Sequence, residues 1–360
     1  MQNNPEYIRA EFRQMRENGK ARHRDIAEKL AISEGEMIAA HISDALPKRL
    51  YELCAVRLTP KWADIFSSLE SFGEVMALTR NASCVHERKG VYKNFSQQGD
   101  VGLVLGEEID LRMFFEHWMH GFAVRELMPD RIQHSLQFFD ASGTAIHKIF
   151  LQTAYSDSSL TSFVQRFADQ TQFQNWSPAP HQHSQPVRSD ESIDVKGFQT
   201  DWECLRDTHH FTNLLKKYGV SRLQGLRIAD RKYAQRIDPA SVYQLLDGAA
   251  QGQVPVMVFV GNTGMIQIHS GEIKKVVVMG PWLNVLDPKF NLHLREDHID
   301  SAWVVRKPTL DGLITSLELF NSDGDVIAMF FGTRKPGKAE LCEWRNLIDT
   351  LLVEEKPWLN

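Results

Sequence analysis

The chain has 360 residues, about two ordinary domains' worth. Hydrophobic residues make up 42% and charged residues 24%, a soluble globular mix that excludes wholesale disorder, collagen and a long coiled coil. With 41 basic and 46 acidic side chains the net charge is −5, so no global positive field exists to hold nucleic acid or anionic lipid. No apolar run approaches the roughly 18 residues of a membrane span, and the N-terminus lacks a basic-then-apolar signal layout. Cys54, Cys84, Cys204 and Cys342 stand far apart with no CxxC, which predicts reduced, mostly buried thiols. A cytoplasmic protein without membrane insertion is expected.

Taken in chain order, 5–45 carries the spaced apolar residues of helices. Within it, 24–42 has the spacing of a helix-turn-helix. Its second helix would begin Ser33-Glu34-Gly35-Glu36, acidic where base edges and phosphates call for donors, so a packed helical hairpin is expected. His117-Trp-Met-His120 could set two imidazoles on one helix face, but no third ligand has metal spacing. Strands at Ser135–Asp140 and Ile146–Leu151 flank Ala-Ser-Gly-Thr, a hairpin turn with glycine where positive φ is needed. The stretch 176–192, rich in Pro, Ser and His (His181 and His183 among them), reads as a linker. Beyond it, 198–218 is helical and bounded by Gly219. Val254–Val260 and Met265–Ser270 form a hairpin around Gly-Asn-Thr-Gly, and Ser316–Phe320 and Asp325–Phe331 form another around Asn-Ser-Asp-Gly. No GxGxxG, Walker loop or GxSxG elbow is present.

The later elements repeat the earlier ones. An offset of 181 aligns 110–150 with 291–331 without a gap and gives 11 identities in 41 pairs, among them Val124/Val305, Ser135/Ser316, Phe139/Phe320 and Phe150/Phe331. The same offset pairs Asn81 with Asn262. A period this long means domain-sized copies rather than a solenoid. Short connections imply antiparallel pairing. The expected fold is α+β: an internal duplication of two similar halves, 1–184 and 185–360, each a large antiparallel sheet with helices grouped at one side.

One helical segment, Thr200–Tyr218, carries a second feature. At about 100° per residue, Cys204, Phe211, Leu214, Leu215 and Tyr218 form one apolar face, and His209 falls nearly opposite, in line with Trp202 and Leu205. Two readings stand: a surface histidine beside two incidental apolar residues, or an imidazole facing an apolar slot, as a bond to haem iron would require.

The string Asp207-Thr-His-His-Phe211 followed by Leu214-Leu-Lys-Lys217 resembles the haem-ligand helix of the HemS/ChuS/PhuS family of bacterial haem-uptake proteins. So do, in the right order, Ala77-Leu-Thr-Arg-Asn81, Val85-His-Glu-Arg-Lys-Gly90, Asp110-Leu-Arg112, 255–262, 282–288 and Val305-Arg-Lys-Pro308. The resemblance covers essentially the whole chain. It implies haem b as ligand or substrate, His209 as its axial iron ligand, and Arg112 over the opposite face from the N-terminal half, in a cleft between the halves. It also implies Arg222, Lys307 and Arg334 at the propionate end, and Phe114, Met257, Phe259 and Phe331 along the macrocycle. His86 and His210 would be secondary positions. Phe331 stands where members often carry tyrosine, Met329 where glutamine is common, and Thr212 where one branch has a further histidine.

The function so implied is a cytoplasmic haem-binding protein of an iron-acquisition system, a monomer or weak dimer. It would receive imported haem and pass it on, with a haem oxygenase or an inner-membrane haem importer as partner. The alternative within the family is an enzyme that opens the macrocycle with oxygen and reductant, using Arg112 as its catalytic residue. A DNA-binding regulator built on 24–42 is the remote alternative, opposed by the acidic second helix.

Overall fold

The computed structural model describes residues 4–19, 21–152, 157–172, 178–179, 189–334 and 337–353. They fall into two compact units. One takes Met1–Arg80, Glu87–Gln182 and Asn262–Gln267; the other takes Asn81–His86, His183–Gly261 and Ile268–Asn360. Each sequence copy therefore lends a short turn to the unit built mainly from the other. The boundary expected near residue 185, with His181 and His183, lies outside the described residues.

In the first unit five antiparallel strands run in the order Leu53–Leu58, His120–Leu127, Ile132–Phe139, Ala145–Leu151, Val75–Arg80. Successive strand residues point to opposite faces, so Phe122 and Val124 serve one core and Ala123 the other. The helices Pro5–Glu17, His23–Lys29 and Glu34–Ala39 close the first face through Phe12, Ile26 and Ile38. Trp62–Ser68 and Asp157–Phe167 close the second through Phe66 and Phe163. A further antiparallel run, Phe95–Gln98, Val101–Leu105 and Asp110–Phe114, completes the unit.

The second unit repeats this plan. Its five strands are ordered Ala234–Ile237, Ser301–Thr309, Gly312–Phe320, Val326–Gly332, Val256–Gly261, with a three-strand run Val276–Met279, Trp282–Leu286 and Phe290–Arg295. Helices Ser241–Gln251 and Cys342–Val353 press Leu245, Leu246, Trp344 and Ile348 onto Val258, Leu317 and Phe330. Helices Val195–Glu203, His210–Tyr218 and Arg222–Ile228 cover only part of the other face, against Val305 and Phe320. The fold is α+β with duplicated antiparallel sheets, as the sequence implied, but helices lie against both faces of each five-strand sheet rather than one side.

The duplication reaches small details. A register shift at Phe138/Phe139, which leaves Ile146 unpaired on the next strand, recurs at Leu319/Phe320 with Ile327 unpaired. The hairpin glycines Gly143 and Gly324 have φ of 82° and 81°, where a Cβ would be strained. Asn262 Nδ2 donates to the Arg80 and Ile146 carbonyls at 3.0 and 2.8 Å. The matching Asn81 donates to Gly261 and Ile327 at 3.1 and 2.8 Å. These are equivalent bonds, made once in each unit.

Two sequence expectations need correction. Cys54 and Cys84 are buried, but Cys204 and Cys342 are exposed, so only half of the thiols are interior. His117 sits in a single 3-10 turn and His120 opens the strand His120–Leu127, so the pair does not share a helix face. The 24–42 segment is a packed helical hairpin. Glu34 is buried at the start of its second helix, where it meets Lys148 and, at 2.6 Å, Arg80.

Candidate functional site

The expected helix over Thr200–Tyr218 is broken. Val195–Glu203 ends at Cys204, and a second helix begins at His210. Trp202 is fully buried with its Nε1 donating to the Arg306 carbonyl at 3.0 Å, and it shares one core with Leu205, Phe211, Leu214 and Leu215. The second apolar strip carrying His209 therefore does not exist. The chain folds back, which lets residues on opposite sides of a notional helix bury in the same place, and Cys204 turns outward.

The break has a local cause. The Asp207 carboxylate Oδ1 accepts the His209 backbone N–H at 2.8 Å, and the Asp207 carbonyl accepts the His210 N–H at 3.1 Å. This is an Asx-type turn just ahead of the helix, a local side-chain bond to the backbone that competes with continuing the preceding helix. It leaves His209 at the N-cap of His210–Tyr218 with its side chain 88% exposed. His209 Nδ1 lies 2.7 Å from the same Asp207 oxygen. A carboxylate only accepts, so Nδ1 is the donor, and in the neutral ring the outward-facing Nε2 keeps the lone pair. His210, one residue on, is exposed too and forms the first position of the helix.

Two residues beyond His209, the buried Phe211 ring carries two cations, Lys307 Nζ at 4.7 Å and the Arg222 guanidinium at 5.1 Å from its centroid. Both also bind Glu318, which is fully buried. Arg222 Nε and Nη2 reach its two oxygens at 2.6 and 2.8 Å, Lys307 Nζ at 2.8 Å, and Ser316 Oγ donates at 3.0 Å. Burial opposes ionisation of Glu318, yet the two cations outweigh it and hold the carboxyl far below its ordinary range. Burial wins the other way at Lys307, which is pushed down to about 8. The group of three carries two positive charges against one negative.

Strand register puts more of the expected residues on the same sheet face. Met257 stands opposite Phe331 and Phe259 opposite Met329; Met329 and Phe331 stand opposite Glu318 and Ser316 on the next strand. Met257, Phe259, Met329 and Phe331 are all half-buried, while Val256, Val258 and Phe330 between them face the core. The Phe259 and Phe331 rings meet edge-on at 5.0 Å, and Lys307 Nζ lies 5.8 Å from the Phe331 centroid. The result is a half-exposed apolar shelf ending in a buried cationic group. Arg334 is half-buried nearby in sequence and loosely paired, 3.5 Å from Asp311.

The remaining candidates lie elsewhere. Arg112 and Phe114 share one face of the strand Asp110–Phe114 in the first unit, and Arg112 Nη1 is engaged by Asp110 and, at 3.1 Å, by the Leu111 carbonyl. His86 is fully buried, its ring 5.0 Å from Phe290. That interior position removes it from any surface site. Asp207 and Glu318 were missed as site residues. The signals were an Asx-turn residue just before a His-His pair, and a carboxylate inside an otherwise apolar strand, Ser316-Leu-Glu-Leu-Phe320.

The comparisons decide the family. The model described as "Haemin-degrading HemS.ChuX domain" matches twice, over residues 31–168 and 219–351. The chain belongs to the HemS/ChuS/PhuS family. The double match follows the internal duplication. "Hemin transport protein HemS" of Yersinia enterocolitica is 37% identical over 334 residues, covering 91% of this chain and 92% of that protein. Holo-PhuS, a heme-binding protein from Pseudomonas aeruginosa, is 40% identical with a TM-score of 0.90, over 96% of this chain and 99% of that one. ChuS, an E. coli heme oxygenase, is 33% identical with a TM-score of 0.83 over the same shares.

Proposed function

We propose that the protein binds haem b on the second unit's half-exposed face and carries it within a cytoplasmic haem-uptake route, with His209 as the axial ligand. The observation that carries this reading is the outward Nε2 of His209, oriented by Asp207, in the unit whose sheet offers the Met257/Phe259/Phe331 shelf and the Arg222/Lys307 cations. A haem needs those three things: an imidazole nitrogen for iron, apolar surface for the macrocycle, and positive charge for two propionates. Arg222 and Lys307 would take propionate oxygens while staying paired through Glu318. Arg334 adds a third cation. Phe259 and Phe331 would lie along the ring, and no tyrosine hydroxyl is offered at 331.

Charge distribution favours reversible carriage. Glu318 already satisfies much of the cationic group, so a bound carboxylate gains less than it would from two free cations, and release is correspondingly easier. A haem oxygenase or an inner-membrane importer is the expected class of partner, giving or taking haem.

The second reading, oxygen- and reductant-dependent opening of the macrocycle, is favoured by the likeness to ChuS, described as a heme oxygenase. Arg112 would be its catalytic residue. Against it, the Arg112 guanidinium is already held by Asp110 within its own strand. Anaerobic haem loading followed by reductant and oxygen, with catalase present, separates the two readings. Retention of the Soret band supports carriage, and steady loss with a defined tetrapyrrole product supports the enzyme. The ligand assignment is tested by His209→Ala, which should shift the haem spectrum and weaken binding far more than His210→Ala. Equal effects from both substitutions would remove His209 as the ligand.

A further inference from the structure

We propose that Asp207 is the positioning residue of the haem-iron ligand, fixing both the tautomer and the donor strength of His209. The inference rests on the reading of His209 as axial ligand and goes beyond it. One carboxylate oxygen serves two donors of the same residue, the His209 backbone N–H at 2.8 Å and its ring Nδ1–H at 2.7 Å. The backbone bond fixes where the residue sits at the head of the helix. The ring bond fixes which way the imidazole faces and which nitrogen holds the proton.

Each consequence follows from that geometry. An imidazole free to choose its tautomer presents a protonated Nε2 part of the time, and that form cannot bind iron. The Asp207 carboxylate removes the alternative, because an acceptor-only group can hold only the Nδ1–H form. It also draws the Nδ1 proton toward itself, which makes the ring more imidazolate-like and its Nε2 a stronger donor. Carboxylate–histidine pairs at metal sites act this way, and losing the carboxylate commonly costs 10–100-fold in metal affinity. His210 has no such partner among the described residues: its backbone N–H goes to the Asp207 carbonyl, and no ring bond to a carboxylate is present. The motif Asp-Thr-His-His therefore distinguishes two adjacent histidines by which one the aspartate orients. Asp207 and His209 are 51% and 88% exposed, so neither is needed for the core.

The test uses the full-length protein loaded with haem and reduced without oxygen. The iron–imidazole stretching band is read by resonance Raman, the ferric/ferrous midpoint by spectroelectrochemistry, and affinity by haem titration. Asp207→Asn keeps an oxygen for the turn but removes the charge; Asp207→Ala removes both. Both should lower the stretching frequency, raise the midpoint potential and weaken haem binding about 10–100-fold. An unchanged band and potential in Asp207→Asn overturns the proposal, including the case where only Asp207→Ala responds, since Asp207 is then just a turn former. His209→Ala separates this failure from failure of the ligand reading. If it abolishes a band that Asp207→Asn leaves alone, His209 is still the ligand. If the band survives His209→Ala, the ligand reading itself falls and the role of Asp207 with it.

Discussion

The buried group Arg222–Glu318–Lys307 makes a quantitative prediction because its charges do not balance. Glu318 accepts four hydrogen bonds, three of them from cations, inside a site from which it is wholly shielded. Glu318→Gln keeps the shape and one acceptor but leaves the buried Lys307 and the half-buried Arg222 facing each other without a counter-charge. Breaking a buried ion pair by removing one partner costs about 3–5 kcal/mol. With about 2–4 °C per kcal/mol for a unit of this size, the thermal midpoint should fall by about 6–20 °C. Lys307→Met is the control. It leaves Arg222 and Glu318 as a one-to-one pair over the same apolar ring, so it should cost clearly less. The pH dependence has a definite sign. Lys307 is held at about 8, below its ordinary 10.5, so between those values the folded state binds fewer protons than the unfolded one and stability rises with pH. In Glu318→Gln the attraction that raises Lys307 is gone, so the rise should begin at lower pH. Urea midpoints from pH 6 to 10 for both variants provide the measurement. If Lys307→Met costs as much as Glu318→Gln, or the rise does not move, the charge argument is wrong.

Two further predictions bear on the first unit. Arg112→Ala should move the pH midpoint of the acid–alkaline transition of the ferric haem complex while the His209-dependent spectrum persists; superimposable titrations would remove Arg112 from the haem site. Glu126 is buried, but His23 and Arg16 outweigh that burial and hold it down to about 2 from an ordinary 4.5. Its contribution is complete above 4.5 and lost as pH falls through about 2, so Glu126→Gln should flatten the acid loss of stability there; an unchanged urea-midpoint profile between pH 5 and 3 would refute this.

What the sequence revealed and what it hid divide along a physical line. The duplication, the antiparallel hairpins and the two turn glycines were legible because each depends on a few neighbouring residues: Gly143 and Gly324 are read from the turn alone. The break after Glu203 was not, because helical periodicity assigns every residue an angle whether or not the helix continues. Cys204 and Trp202 were placed on opposite faces of a helix that ends between them and His209. The turn signal at Asp207 was local and readable, yet the apolar spacing on either side concealed it. Glu318 was hidden for a different reason. Its role comes from a cross-strand neighbourhood with Lys307 and a helix some 96 residues away in sequence at Arg222, and no local pattern shows that convergence.

The duplication also shows why one sheet face stays half-exposed and its twin does not. The offset of 181 carries Lys307 to Glu126, Glu318 to Gln137, Met329 to Lys148 and Phe331 to Phe150. In the first unit, then, the cation at the shelf's end has become a carboxylate, and it is tied by Arg16 and His23 from the N-terminal helices. Lys148 reaches the buried Glu34, which Arg80 also holds. Glu126, Lys148 and Arg80 are thus all engaged with the helices that cover that face. In the second unit the helices pack on Val305 and Phe320 and reach Lys307 and Glu318 through Phe211 and Arg222, while Phe331 and Met257 stay half-buried and a surplus positive charge remains. The two copies share a backbone plan and a register shift, but a few charge exchanges turn one sheet face into a helix seat and leave its partner half-exposed beside a cationic group.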